Sequence, residues 1–219
     1  MSTTPPILHY LIGQVHTSRF LTAAINQGQP SHAYLFHGPK GSGKYEAALK
    51  FAAALCCENG GCGVCPTCEK AARGVHPDID VIAPVGSFIT VDQIRELNRN
   101  LNLRPHESRA LVFIIRGADR FNAESANAFL KSLEEPPPFV FFLLLADRLD
   151  RPIPTTASRC QTVRFAPVRP APRGARRGGR HRQAGGPPAA PARDHTGGAR
   201  EAGGHLVQPD LSDRKRATR

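Results

Sequence analysis

The chain of 219 residues has no apolar run long enough to cross a membrane. Its longest, Phe139–Ala146, spans eight residues where a helical span needs about 20. That is too short to span a membrane as a helix and suits a buried parallel strand. A basic-then-apolar leader is lacking too: Pro5 and Pro6 come early, which predicts no secretory signal and a cytoplasmic protein. Residues 169–219 are poor in large aliphatics, with only Leu206, Val207 and Leu211 against nine Gly and six Pro. So little apolar surface cannot offset the entropy of ordering, so a disordered tail from about residue 168 is expected. Charge is scarce in the body and concentrated in that tail. Residues 1–168 carry 17 Lys/Arg against 14 Asp/Glu, a net +3, and residues 169–219 carry 12 against 4, a net +8. Such a basic tail can bind nucleic acid without sequence preference. The blander reading is an unstructured extension, or out-of-frame translation of a GC-rich gene, which yields the same bias.

The strongest motif present is Gly38-Pro39-Lys40-Gly41-Ser42-Gly43-Lys44-Tyr45. It fits the phosphate-loop pattern G-x-x-x-x-G-K-[S/T] except at the last position. The run Ala33–Phe36 before it reads as a buried strand. After it, Ala47, Ala48, Phe51, Ala52 and Leu55 recur at helical spacing. Strand, glycine loop and helix form the context in which backbone N–H groups and a helix N-terminus cradle phosphate oxygens of ATP or ADP. Lys44 would reach the outer phosphates. Tyr45 stands where a Ser or Thr hydroxyl would hold Mg²⁺, and its OH sits at the end of a rigid ring.

Strands and helices alternate from there. Residues 7–27 suggest one or two helices broken near Gly13. Asp78–Ala83, Arg109–Arg116 and Phe139–Ala146 read as strands, and Val91 to about Leu103 and Asn122–Glu135 as helices, the first capped by Thr90. The pattern predicts an α/β layer with a largely parallel sheet over residues 1–167, the loop lying at the carboxyl end of a central strand.

Residues 56–76 form a Cys/Gly-rich insertion. Cys57, Cys62, Cys65 and Cys68 offer four thiolates at a spacing that suits a closed, structural zinc site. Cys56 competes as first ligand but reads better as facing the helix it ends; free thiols are the alternative to a metal. Cys160 has no partner by spacing.

A phosphate-loop ATPase also needs an acidic pair at the end of a neighbouring strand. Here Arg116-Gly117-Ala118-Asp119 follows the third strand, and Asp119 reads as a cap for the next segment. Two losses, at Tyr45 and at Arg116-Gly117, predict a domain that does not hydrolyse ATP.

The segments S-H-A-Y-L-F-H-G-P-K-G-S-G-K (31–44), the four-cysteine insertion, H-P-D (76–78), A-N-A-F-L-K-S-L-E-E-P-P (126–137) and S-R-C (158–160) follow one another in this order. Together they resemble the AAA+ clamp-loader family of bacterial DNA polymerase III, its delta-prime branch above all, over about residues 7–167. The resemblance implies an AAA+ fold and a place in a five-subunit ring with tau/gamma and delta subunits, acting in DNA replication on the sliding clamp and primed DNA. It implies that Arg159 of S-R-C is an arginine finger acting in trans on a neighbour's ATP. Without that context Arg159 reads as a surface arginine paired with a carboxylate. The family continues into a helical lid and collar after S-R-C, whereas the resemblance here stops at about Pro167; Asp147-Arg148 stands where active relatives carry a polar sensing residue. Two other readings remain open: an active ATPase motor subunit of the tau/gamma kind, and a basic DNA-binding module.

Overall fold

The computed structural model describes residues 6–148 and 154–168. The expected disordered tail lies, apart from Val168, outside the described residues. A 3-10 segment, Pro6–Tyr10, and helix α1, Val15–Asn26, come first, broken at the turn around Gly13 as the sequence predicts. Then follow β1 (Ala33–His37), α2 (Lys44–Cys56), α3 (Pro66–Ala72), β2 (Ile79–Ile82), α4 (Val91–Asn100), β3 (Leu111–Arg116), α5 (Ala123–Glu134), β4 (Val140–Ala146), α6 (Pro154–Ala157) and β5 (Gln161–Arg164).

The five strands form one parallel sheet in the order β2-β3-β4-β1-β5. β1 is therefore an interior strand, one place in from an edge. β4 is apolar throughout, and β3 as far as the exposed Arg116 that ends it, because both their faces are covered. Tyr34, Phe36, Val112, Ile114, Phe141, Leu143 and Leu145 turn towards α1 and α2. Ala33, Leu35, Phe113, Ile115, Phe142 and Leu144 turn the opposite way, towards α4 and α5. Period-two alternation in the strands thus divides one sheet between two cores. Phe142 ties the second core together, with the Phe113 ring 5.9 Å away and the Phe129 ring edge-on at 5.2 Å. Burying each such ring contributes about 1.5–3 kcal/mol. In α2, Ala47, Ala48 and Ala52 are fully buried, and their small size lets the helix that carries the loop pack closely on the sheet.

Local chemistry sets the element ends. Thr90 and Gln93 form a reciprocal capping box at α4, as do Asn122 and Ser125 at α5. α4 stops at Asn100, short of the expected Leu103, which is exposed. Asp119 does not cap α5: Asn122 does, and Asp119 lies in a 3-10 turn, Ala118–Arg120. The insertion contains a helix of its own, α3, with Pro66 at its first turn. Neither α6 nor β5 is anticipated by the sequence pattern.

The H-P-D segment holds the sheet edge. Asp78 is fully buried and accepts hydrogen bonds from the backbone N–H groups of His106, Glu107 and Ser108 and from the Ser108 hydroxyl, at 2.6–2.9 Å. Burial alone would raise its pKa, but those donors outweigh it and hold the carboxyl below its ordinary value.

Candidate nucleotide site and cysteine cluster

The loop leaves β1 at Gly38, whose N–H donates to the Ala146 carbonyl at 3.3 Å. A Cβ at Gly38 would meet the Phe165 carbonyl oxygen at 2.4 Å, and its φ is +152°, so only glycine fits against the end of β5. Gly43 caps α2 in the left-handed conformation, φ 84°. Gln14, buried just before α1, donates to the carbonyls of Ser42 and Ala166 and accepts from the Ala166 N–H. It braces the loop against the chain beyond β5. No spacing rule identifies Gln14 in the sequence.

Lys44 opens α2 and is only 8 % exposed. Its ammonium donates to the carbonyls of Gly38 and Pro39, at 2.7 and 2.9 Å, and pairs with Asp147 Oδ1 at 2.9 Å. The lysine is thus folded into the loop and held by a carboxylate from the end of β4. Beside it opens a cleft of about 600 Å³ at the carboxyl ends of β2, β3 and β4. Lys40, Gly41, Gly43, Lys44, Tyr45, Arg116, Asp119, Arg120 and Asp147 are among its walls. Of the loop residues expected to hold phosphate, Lys40, Gly41, Gly43, Lys44 and Tyr45 line this cleft, and Gly38, Pro39 and Ser42 do not. Arg116 lies over the Tyr45 ring, its guanidinium carbon 4.8 Å from the centroid. The two positions read in the sequence as separate losses touch one another.

Mg²⁺ is the ion that such loops ordinarily use, and the donor set does not fit it. A phenol stacked under a guanidinium replaces the hydroxyl ligand, and a cation replaces the strand-end carboxylate.

Cys57, Cys62, Cys65 and Cys68 do come together, their sulfurs all within 4.8 Å of one another. Cys57 Sγ lies 3.9 Å from Cys62 Sγ and 3.7 Å from Cys65 Sγ. A tetrahedral ion with metal–sulfur bonds of about 2.3 Å separates its sulfurs by about 3.8 Å. The four thiols can share one metal. Burial would raise the Cys57 pKa, but backbone N–H groups of Cys62, Gly61 and Asn59 outweigh it and bring the thiol down to about 7, whereas burial holds the Cys65 and Cys68 thiols above their ordinary value. Cys56 points elsewhere: its Sγ donates to the Ala110 carbonyl at 3.5 Å, and burial raises its pKa to about 12. Burial likewise raises Cys160 to about 12.

Arg159 stands in the turn between α6 and β5 and pairs with Glu134, Nη2 to Oε1 2.8 Å. Gln161 is in register with Tyr34, so Arg159 lies at the amino end of the sheet. The loop begins at the opposite end, four residues beyond Tyr34, or about 13 Å along the strand. Arg159 is not brought together with the loop of its own chain.

The family model described as DNA polymerase III, delta subunit, matches residues 13–169. The chain belongs to that family. Within it the chain is delta-prime-like: it is 38 % identical over 160 residues to the DNA polymerase III subunit delta' of Bacillus subtilis, covering 72 % of this chain and 49 % of that protein. It is also 36 % identical over 160 residues to the gamma/tau subunit of Mycobacterium bovis, covering 71 % of this chain and 28 % of that one. A solved Thermotoga maritima structure described as a DNA polymerase III gamma subunit-related protein superposes with a TM-score of 0.52 at 25 % identity, over 68 % of this chain and 46 % of that one. The chain thus spans half or less of the length of these family relatives. Among the described residues no helix is long and apolar enough to cross a membrane.

Proposed function

We propose that this protein serves in the cytoplasm as a clamp-loader subunit of DNA polymerase III that does not hydrolyse ATP itself. The observation that carries the reading is the contact of Arg116 with Tyr45. Both positions that would manage magnesium and water in a hydrolytic loop are filled, and by residues that engage each other. The positive φ of Gly38, Gly41 and Gly43 supports a loop that can still cradle the phosphates of ATP or ADP, with Lys44 released to them from the Gly38 carbonyl.

What the subunit contributes to catalysis is Arg159, offered to the ATP of an adjacent tau/gamma subunit. Its place at the end of the sheet remote from its own loop supports action in trans. Pairing with Glu134 keeps the guanidinium oriented until a phosphoryl group competes for it. Such a finger accelerates hydrolysis by about 10³–10⁵. The four clustered cysteines hold a structural zinc ion, closed to substrate because all four positions are thiolate. Through the delta and tau/gamma subunits the chain acts on the sliding clamp and primed DNA. Residues 1–167 supply the AAA+ domain, and residues 168–219 a basic extension.

Reconstitution tests this directly. The full chain alone should bind ATP without releasing phosphate, and Arg159→Ala should fold normally while lowering ATP turnover of the reconstituted loader at least tenfold. Phosphate release by the isolated chain, lost in Lys44→Ala, would overturn the reading in favour of a motor subunit.

A further inference from the structure

We infer, on the reading that the loop holds a nucleotide, that it binds nucleoside di- and triphosphates without a divalent cation, the Arg116 guanidinium supplying the charge that magnesium supplies elsewhere. A phosphate loop meets a polyanion whose outer oxygens repel one another. Ordinarily the lysine and a bridging Mg²⁺ share the neutralisation, the ion held by a hydroxyl next to the lysine and by a strand-end carboxylate. In this chain both anchor points are altered in one contact. Tyr45 follows the lysine, and Arg116 ends β3 with its guanidinium 4.8 Å above the Tyr45 ring.

That stacking positions the cation as well as removing the ion's ligands. A guanidinium over an aromatic face is held in place by the ring quadrupole while its N–H groups stay free to donate at its edge. Arg116 and Lys44 border the same cleft, together with Lys40 and Arg120. Two of the three acids of that cleft are already engaged by lysines. Asp147 is engaged by Lys44 at 2.9 Å, and Glu46 pairs with Lys50 at 2.8 Å. Asp119 sits in the same short turn as Arg120, directly after the β3 terminus that bears Arg116. A bare polyphosphate therefore meets four cationic side chains, and two N–H···O bonds from Arg116 can take the place of two metal–oxygen bonds. Such a site holds its ligand without the ion that activates it for hydrolysis.

The test is titration of the full chain with fluorescent ADP and ATP analogues, in excess EDTA and in excess Mg²⁺. Affinity should agree within about twofold between the two conditions. Arg116→Ala should weaken binding about tenfold in both. The double variant Tyr45→Thr with Arg116→Asp should reverse the pattern, binding well only with Mg²⁺. A wild-type affinity raised tenfold or more by Mg²⁺ would overturn the inference and assign Asp119 or Asp147 to the ion. Absence of binding in both conditions would overturn it as well, while leaving the role of Arg159 in a neighbour's site intact. Phosphate release would instead strike at the non-hydrolysing reading itself. Thermal unfolding of each variant separates lost binding from lost fold.

Discussion

Lys44 and Asp147 form an ion pair, 2.9 Å from ammonium to carboxylate, across the mouth of the phosphate loop. The lysine is nearly buried, whereas the aspartate side chain is about half exposed, at 47 %. A phosphate entering the loop has to compete with this carboxylate for the ammonium. Asp147→Asn removes the competitor and keeps the shape, so affinity for ADP should rise severalfold, about fivefold for a pair of about 1 kcal/mol. Calorimetric titration reads the change. A fall in affinity would instead make Asp147 part of the binding machinery.

The cysteine cluster separates two kinds of thiol that are neighbours in sequence. Cys57→Ser should lower bound zinc, measured by native mass spectrometry, from one ion per chain towards none, and should lower the melting temperature. Cys56→Ala should keep the zinc, because its thiol is buried against the Ala110 carbonyl, and should cost only about 1–2 kcal/mol of packing and hydrogen bonding. Chelation should mimic Cys57→Ser. Zinc-free protein with an unchanged melting curve would leave the cluster as four free thiols.

The H-P-D segment gives the fold an acid-sensitive seam. His76 Nδ1 accepts the Asp78 N–H at 3.1 Å, so Nε2 carries the proton of the neutral ring, and that atom has no hydrogen-bond partner among the described residues. Burial lowers the His76 pKa against the attraction of Asp78 and Glu107, with Lys70 adding to the lowering. The unfolded state then binds the proton more readily, so this contribution is complete above about pH 6.5 and fades as pH falls towards the lower folded value. Asp78 is the carboxylate case: its contribution is complete above about pH 3.9 and is lost as pH drops through its depressed folded value. His76→Leu should therefore flatten the first decline in denaturant-measured stability. Asp78→Asn should cost about 3 kcal/mol at neutral pH and flatten the second. An unaltered profile in both variants would show that these groups do not govern it.

How much of this was legible beforehand follows from burial. β1, β3 and β4 announce themselves because covered faces demand unbroken apolar runs. β5 does not, since of Gln161–Arg164 only Val163 is buried. α2 and α5 were readable from helical spacing, and Thr90 from its capping chemistry. Asp119 misled because an acid just before a helical run resembles a cap, while Asn122 stands nearer and closes the box with Ser125. The loop, the four cysteines and Arg159 were visible as motifs. The stacking of Arg116 on Tyr45 was not, because residues at the ends of different elements meet only once the sheet has set their register.

A parallel sheet has two unlike ends, and this one carries Gly38–Tyr45 at one and Arg159 at the other. An assembly that brings Arg159 of one subunit to the loop of the next joins two different surfaces, and so has a direction. Each member then has a giving side and a receiving side, and an arginine lost from one position silences the neighbour on a single flank.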